Sequence, residues 1–241
     1  MENKFTLIVP MLNNSEKYQN IVPIEFQYNN QFGKMNCIIS LEGINTNIFS
    51  DVYFVILKKH EIKYNISNQI LLNIKNNDKL THLFSKIHFK IIDLPTRSQA
   101  ETIHKTIVEE NITGSIFIKD TDNACISNDI KPCNSVLVFN LEDINIVDPQ
   151  HKSYVAVDDM NFIVNIIEKR VISNLFNCGG YSFLDAQDFI DAYEGLLKHE
   201  DILQHMYISH IIYWLIMYKK IKFRPIHATE YSDFEILNSI K

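Results

Sequence analysis

Short β-branched and aromatic runs alternate along this chain with longer stretches of helical period. Phe5-Thr6-Leu7-Ile8-Val9 is a short apolar run closed by Pro10, the pattern of a buried strand. Asp51-Val52-Tyr53-Phe54-Val55-Ile56-Leu57 repeats it and ends in the polar Lys58-Lys59-His60. Over residues 68–84 the apolar positions Ile70, Leu71, Ile74, Leu80 and Leu83 lie near 3.6-residue spacing, which predicts a helix. Phe89-Lys90-Ile91-Ile92 reads as a third strand, stopped by Pro95. A helix over 98–111 follows, with Ala100, Ile103, Ile107 and Val108 on one face and Ser98 and Glu101 spaced as a capping box. Ser115-Ile116-Phe117-Ile118-Lys119 is a fourth strand. This rhythm predicts parallel pairing through right-handed crossovers, hence an α/β sheet.

Beyond Asp122 the rhythm tightens. Val136-Leu137-Val138-Phe139, Ser153-Tyr154-Val155-Ala156-Val157 and Ile163-Val164-Asn165-Ile166-Ile167 are closely spaced strands, the last two joined by a turn at Asp158-Asp159-Met160-Asn161. A further strand begins at Cys178-Gly179-Gly180, and helices return from Asp185. The most apolar stretch, 206–218, is broken by Ser209 and His210 and is shorter than the ~20 residues of a spanning helix. It predicts a buried helix with Ile211, Trp214, Leu215 and Tyr218 facing the core. No proline- or serine-rich linker and no repeat divides the chain, so a single mixed α/β domain over 1–241 is expected, more antiparallel in its second half.

Composition narrows the functions. With 46% hydrophobic residues, 6 Gly and 6 Pro, the chain is an ordinary globular one rather than a disordered or collagen-like one. A net charge of −6 without a Lys/Arg stripe argues against a dedicated nucleic-acid binder. Cys37, Cys125, Cys133 and Cys178 lack CxxC spacing and read as reduced thiols. Neither a signal-peptide core nor a membrane span is evident, which predicts a cytoplasmic protein. HExxH, GxSxG, GxxxxGK[ST] and GxGxxG patterns are all absent.

Three segments carry candidate chemistry. In Lys119-Asp120-Thr121-Asp122-Asn123, two carboxylates at i and i+2 on extended chain share one side. At the carboxyl edge of an open α/β sheet that side faces the ligand crevice, where Mg²⁺ takes one or two carboxylates, waters and substrate phosphates. A polar turn capping the strand is the plainer reading. The helix entrance Thr96-Arg97-Ser98-Gln99 presents N–H donors to an anion or a base edge, or merely starts a helix. Glu168-Lys169, with Asn174 and Gly179-Gly180 downstream, could grip a hydroxyl-rich or phosphorylated molecule, or form a solvated turn and a bend.

Together these segments resemble the sugar-nucleotidyltransferase family of GT-A fold enzymes over most of the chain. Leu7-Ile8-Val9-Pro10-Met11 looks like the family's first strand, and Ile21-Val22-Pro23-Ile24-Glu25-Phe26 lies where the family has a Lys-Pro-Leu-type segment. Thr96-Arg97-Ser98-Gln99-Ala100-Glu101-Thr102 is close to the Thr-x-Gly-Gln-Ala-x-Thr stretch that lines the nucleobase pocket. Phe117–Asn123 resembles the strand and its metal Asp, and Tyr231-Ser232-Asp233-Phe234 the segment that completes the metal site. Departures are plain: Pro10 to Phe26 holds no glycine and Lys17 as its one cation, and Val22 replaces the family's Lys. Asn13 and Asn14 tolerate left-handed backbone better than most residues, so this degenerate loop is expected to be able to keep some anion-cradling geometry.

The resemblance implies a three-layer, Rossmann-like GT-A fold with a mixed, mostly parallel central sheet. It implies an enzyme that joins a nucleoside monophosphate from a nucleoside triphosphate to a phosphorylated small molecule and releases pyrophosphate. That molecule would be a sugar phosphate, or a non-sugar such as phosphoglutamine or phosphocholine, in bacterial capsule or surface-polysaccharide synthesis. Mg²⁺ or Mn²⁺ is expected on Asp122 and Asp233, with Asp122 and Lys17 catalytic. Pro10, Met11, Asn13, Gln99 and Asp120 are expected on the nucleotide, and Glu168, Lys169, Asn174 and Gly180 on the phosphorylated substrate. Neither a membrane nor a nucleic-acid partner is implied, and a homo-oligomer stays open. Two other readings share the motifs: a noncatalytic nucleotide-binding module, and a GT-A glycosyltransferase.

Overall fold

The computed structural model describes residues 4–12, 22–144, 149–198 and 206–234. The strands, in chain order, are β1 (Phe5–Met11), the hairpin arms β2 (Tyr28–Asn29) and β3 (Lys34–Met35), β4 (Asp51–Leu57), β5 (Ile87–Ile92), β6 (Ser115–Lys119), β7 (Asn123–Ile126), β8 (Ser135–Asn140), β9 (Ser153–Val157), β10 (Ile163–Glu168), β11 (Leu175–Phe183), β12 (Arg224–His227) and β13 (Glu230–Asp233). The helices are α1 (Asn36–Glu42), α2 (Lys58–Tyr64), α3 (Ile66–Lys75), α4 (Gln99–Glu109), α5 (Ala186–Leu196) and α6 (Ile208–Trp214).

The most apolar strand takes the centre of the sheet. β1 is buried at every position and pairs in parallel with β4 on one side and β6 on the other. Pro10 does not close it: the strand runs on to Met11 with Pro10 opposite Val55. Beyond Ile8, β1 no longer has β6 as a neighbour, an edge-like setting that accommodates a residue without an amide hydrogen. The sheet runs β5-β4-β1-β6-β11, continuing through β8 to β12. β5, β4, β1, β6, β8 and β12 point one way and β11 runs against them, so the sheet is mixed and mostly parallel. β9 and β10 branch off the first half of β11, where Phe176 lies opposite Tyr154.

Alternation along β1 divides the core into two layers. Leu7, Val9 and Met11 pack with α1 and α3, while Ile8 joins α4, α5 and α6 on the other face. Helices therefore cover both faces of the sheet, the three-layer α/β arrangement expected. Among the described residues no helix is long and apolar enough to cross a membrane. All four cysteines are free thiols.

Several elements differ from the periodicity. The expected helix over 68–84 stops with α3 because buried Asn77 turns its side chain to the local backbone, accepting from Lys79 N at 3.0 Å and donating to Glu42. At the start of α4, Ser98 Oγ accepts from Glu101 N, but the Glu101 carboxylate takes the Arg97 amide rather than that of Ser98. A single π turn after Trp214 widens the last helix, so Ile211 and Leu215 are buried as expected while Tyr218 is 68% exposed.

One core histidine gives the fold a pH dependence. His60 on α2 is buried edge-on against Phe26, and its Nδ1 has no hydrogen-bond partner. Burial first, then Lys59 and Lys63, push its pKa down to about 4. The unfolded chain takes up the proton near pH 6.5, so stability is full above that pH and falls as pH drops toward 4. The loss is about 2 kcal/mol after allowing for screening. Urea unfolding of His60→Leu at pH 7 and pH 4.5 is expected to show that increment gone; an unchanged pH slope would exclude His60 as its source.

Candidate active site

The carboxyl ends of β1 and β6, the start of α4 and the outer ends of β9 and β10 enclose a cleft of about 830 Å³, the size of a small-molecule site. Pro10, Gln99, Asp120, Asp122, Glu168 and Lys169 line it. Of the other residues singled out from the sequence, Met11 is fully buried and packs in the core. Asn174 is exposed and donates to Glu142 at 2.6 Å, away from the cleft wall. Asn13 and Lys17 lie outside the described residues.

Gly180 is also displaced from its expected role. A Cβ there would meet Leu137 Cδ1 and Phe117 Cζ, so its lack of a side chain serves core packing. The glycine of the cleft wall is Gly179, at φ +76°, whose carbonyl accepts from the Asp120 amide at 2.8 Å. The bulge in β11 between Asn177 and Tyr181 sets this conformation, and only a residue without Cβ lets the backbone lie so close to Asp120 and Asn123.

Asp120 stands at the centre of a polar network. Gln99 Nε2 donates to its Oδ1 at 2.5 Å and Tyr181 OH to its Oδ2 at 3.4 Å; Asn177 Nδ2 donates in turn to Tyr181 OH at 2.6 Å and to Ser153 Oγ at 3.1 Å. Burial raises the Asp120 pKa to about 6, helped by Asp122 and opposed by Lys119 and the Gln99 hydrogen bond. Lys119 is fully buried; its Nζ donates to the Asp120 carbonyl at 2.8 Å and to Asn123 Oδ1 at 2.9 Å. Asp122, by contrast, is exposed to the cleft, and its Oδ1 accepts from Asn123 Nδ2 at 2.7 Å.

Pairing of β13 with β7 sets Asp233 opposite Asn123, and Phe234 N donates to the Asp122 carbonyl at 3.0 Å. The topology thus brings together two carboxylates that are far apart in sequence. They do not face the cleft equally. Asp233 Oδ2 accepts from Lys152 Nζ at 2.5 Å and from Tyr231 OH at 3.2 Å; Lys152 lines the cleft and Asp233 does not. Among the described residues no cluster of three or more His, Cys, Asp or Glu side chains could hold a metal. A rim with one open carboxylate suits Mg²⁺ or Mn²⁺ weakly with water alone and better when phosphate oxygens complete the shell. Asp122 fits that role as it stands, whereas Asp233 is covered by an ammonium.

At the other end, Glu168 closes β10 opposite Ser153 and accepts from Ser209 Oγ at 2.9 Å; burial raises its pKa. Lys169 follows at φ +57°, and its Nζ donates to Tyr207 OH at 2.7 Å and lies over that ring. Its charge therefore rests on a neutral phenol. Arg97, also on the wall, is held bidentate by Glu101. Sequence reasoning missed Lys152, Asn177, Tyr207 and Ser209, whereas Tyr181 belongs to the Gly179–Phe183 segment whose likeness to a substrate-pocket segment the sequence offers. Lys152 and Lys169 are tied together by Lys169 N donating to the Lys152 carbonyl at 2.9 Å, a contact that exists only once β9 and β10 pair.

Neither a protein-family profile nor a curated protein matches the chain. Solved structures do. A nucleoside-diphosphate-sugar pyrophosphorylase from Vibrio cholerae is similar at 16% identity and TM-score 0.69, over 92% of this chain and 91% of that one. An inositol-1-phosphate CTP transferase from T. maritima matches at 13% identity and TM-score 0.69, over 96% and 89%. A UDP-glucose pyrophosphorylase complexed with UDP-glucose matches at 12% identity and TM-score 0.67, over 98% of each chain. At such identities the likeness establishes the fold: this chain is built as those proteins are, across nearly their whole length.

Proposed function

We propose that the chain is a nucleotidyltransferase that joins the nucleoside monophosphate of a triphosphate to a phosphorylated small molecule, with release of pyrophosphate. One observation carries this reading: Asp122, the Gln99–Asp120 pair and the Glu168-Lys169 pair open onto a single cleft in a fold shared with pyrophosphorylases. A divalent ion on Asp122 would supply charge neutralisation at the triphosphate. Lys169 binds the phosphate of the acceptor and Glu168 accepts from its hydroxyl or amine groups. Gln99, fixed through Nε2 on Asp120, offers its carbonyl oxygen to the base. With both partners held, an oxygen of the acceptor phosphate attacks the α-phosphorus in line. The α–β bridge then breaks toward pyrophosphate, and neither a covalent intermediate nor a proton-shuttling base is needed. The acceptor is a sugar phosphate or a non-sugar such as phosphoglutamine or phosphocholine, and the product serves bacterial capsule or surface-polysaccharide synthesis in the cytoplasm. The whole chain works as one nucleotidyltransferase-like domain.

The glycine-free stretch from Pro10 to Phe26 favours a second reading, a nucleotide-binding module without turnover. A screen of the four nucleoside triphosphates with Mg²⁺ against phosphorylated metabolites separates the two. Pyrophosphate release supports the enzyme and binding alone supports the module; release of nucleoside diphosphate from a nucleotide sugar, offered as a separate donor, overturns both in favour of a glycosyltransferase. In the active pair, Lys169→Met is expected to raise KM for the acceptor about 10–100-fold with kcat within a few-fold. Loss confined to kcat would remove Lys169 from ground-state phosphate binding.

A further inference from the structure

Asp233 lies near Asp122 in the fold but does not line the cleft. The β7–β13 pairing sets it opposite Asn123, next to Asp122, yet the group that faces the cleft at this point is the Lys152 ammonium. That ammonium is bound at 2.5 Å to Asp233 Oδ2 and at 2.7 Å to Tyr231 OH, with side-chain exposures of only 15% for Lys152 and 10% for Asp233. A cation already occupies the second carboxylate. The Lys152 carbonyl accepts from the Lys169 amide, so the two residues are neighbours across the β9–β10 pair, and both line the cleft that the phosphate would enter.

We propose that Lys152 is a resident cation that masks Asp233, so that divalent metal meets one carboxylate in the empty protein and a second only after the ammonium is drawn onto an incoming phosphate. Lys152 is then a positioning residue whose partner changes during the cycle: Asp233 while the cleft is empty, phosphate when it is filled. The logic is competition between two cations for one anion at close range, where a lysine already in place lowers the field a metal would feel. This inference rests on the metal-dependent reading of the cleft, but its test reads metal binding rather than turnover.

Mn²⁺ affinity of the full, nucleotide-free chain is measured by electron paramagnetic resonance for the wild type, Lys152→Met, Asp233→Asn and the double variant, with near-UV circular dichroism confirming the fold. Lys152→Met is expected to bind Mn²⁺ about tenfold or more tightly, and Asp233→Asn in the same chain to cancel the gain. In the wild type, saturating inorganic phosphate is expected to tighten Mn²⁺, and in Lys152→Met to change it less than twofold. Lys152→Gln, which keeps a hydrogen bond to Tyr231, replaces the Met variant should that fail to fold. Unchanged or weaker Mn²⁺ binding on loss of Lys152, or a gain that survives Asp233→Asn, overturns the proposal. Tighter Mn²⁺ in Lys152→Met from a chain that turns over no triphosphate would sink the enzymatic reading and leave the masking intact.

Discussion

Asp122→Asn is expected to lower pyrophosphate release by 10³-fold or more while the protein stays folded. The carboxylate is exposed, and its one side-chain bond, from Asn123 Nδ2, can be accepted equally by an amide oxygen. The link to β13 uses the Asp122 backbone carbonyl and survives the exchange. Stability should therefore shift by no more than about 0.5 kcal/mol. What disappears is the formal charge at the open carboxylate of the rim. A single donor aimed at transition-state charge is worth roughly 10²–10³ in rate, and removing the ligand of a metal costs at least as much. Steady-state kinetics beside thermal unfolding decide the matter: a folded Asp122→Asn protein with more than a tenth of wild-type activity removes Asp122 from the chemistry.

Gly179→Ala should do the opposite, damaging the fold and the site together. A Cβ at φ +76° costs about 1–2 kcal/mol by itself. It would also stand 2.5 Å from Asn123 Nδ2 and 2.9 Å from Asp120 Cβ, so the end of β6 must move. A loss of about 3 kcal/mol is expected, read as a fall in Tm of roughly 6–12 °C for a chain of this size. Residual folded protein should show weakened nucleotide binding, because the displaced atoms are those that hold Asp120 against Gln99. A Tm within 2 °C of wild type would refute the close approach.

The parts of the fold legible from the chain are those written in continuous apolar runs. β4, β6 and β9 start and stop where the hydrophobic pattern does, since each is shielded by neighbours and needs no special residue to define it. β7 and β13 were invisible for the converse reason: each is four residues long, partly polar, and defined by a partner far along the chain. α1 and α2 begin directly at strand ends, without side-chain caps to announce them. At the site, the Asp-x-Asp edge and Glu168-Lys169 could be singled out because spacing alone puts both acids, and both ends of an acid–base pair, within one segment. Which of two adjacent glycines turns positive could not, for it depends on Leu137 and Phe117 beneath Gly180. Lys152 gave no local signal at all; its meaning comes from Asp233 and Lys169, neither of which is near it in sequence.

Lys119 has a consequence for the empty protein. Acidic groups crowded at the mouth of a low-dielectric interior repel one another, and ordinarily a ligand cation must arrive before such a gathering is tolerable. Here a lysine is lodged under the floor, anchored to the Asp120 carbonyl and the Asn123 amide oxygen, and it lowers the pKa that burial raises on Asp120. The acids are thus partly compensated from inside the molecule, so the cavity can keep its shape between encounters instead of collapsing or waiting for a guest to assemble it.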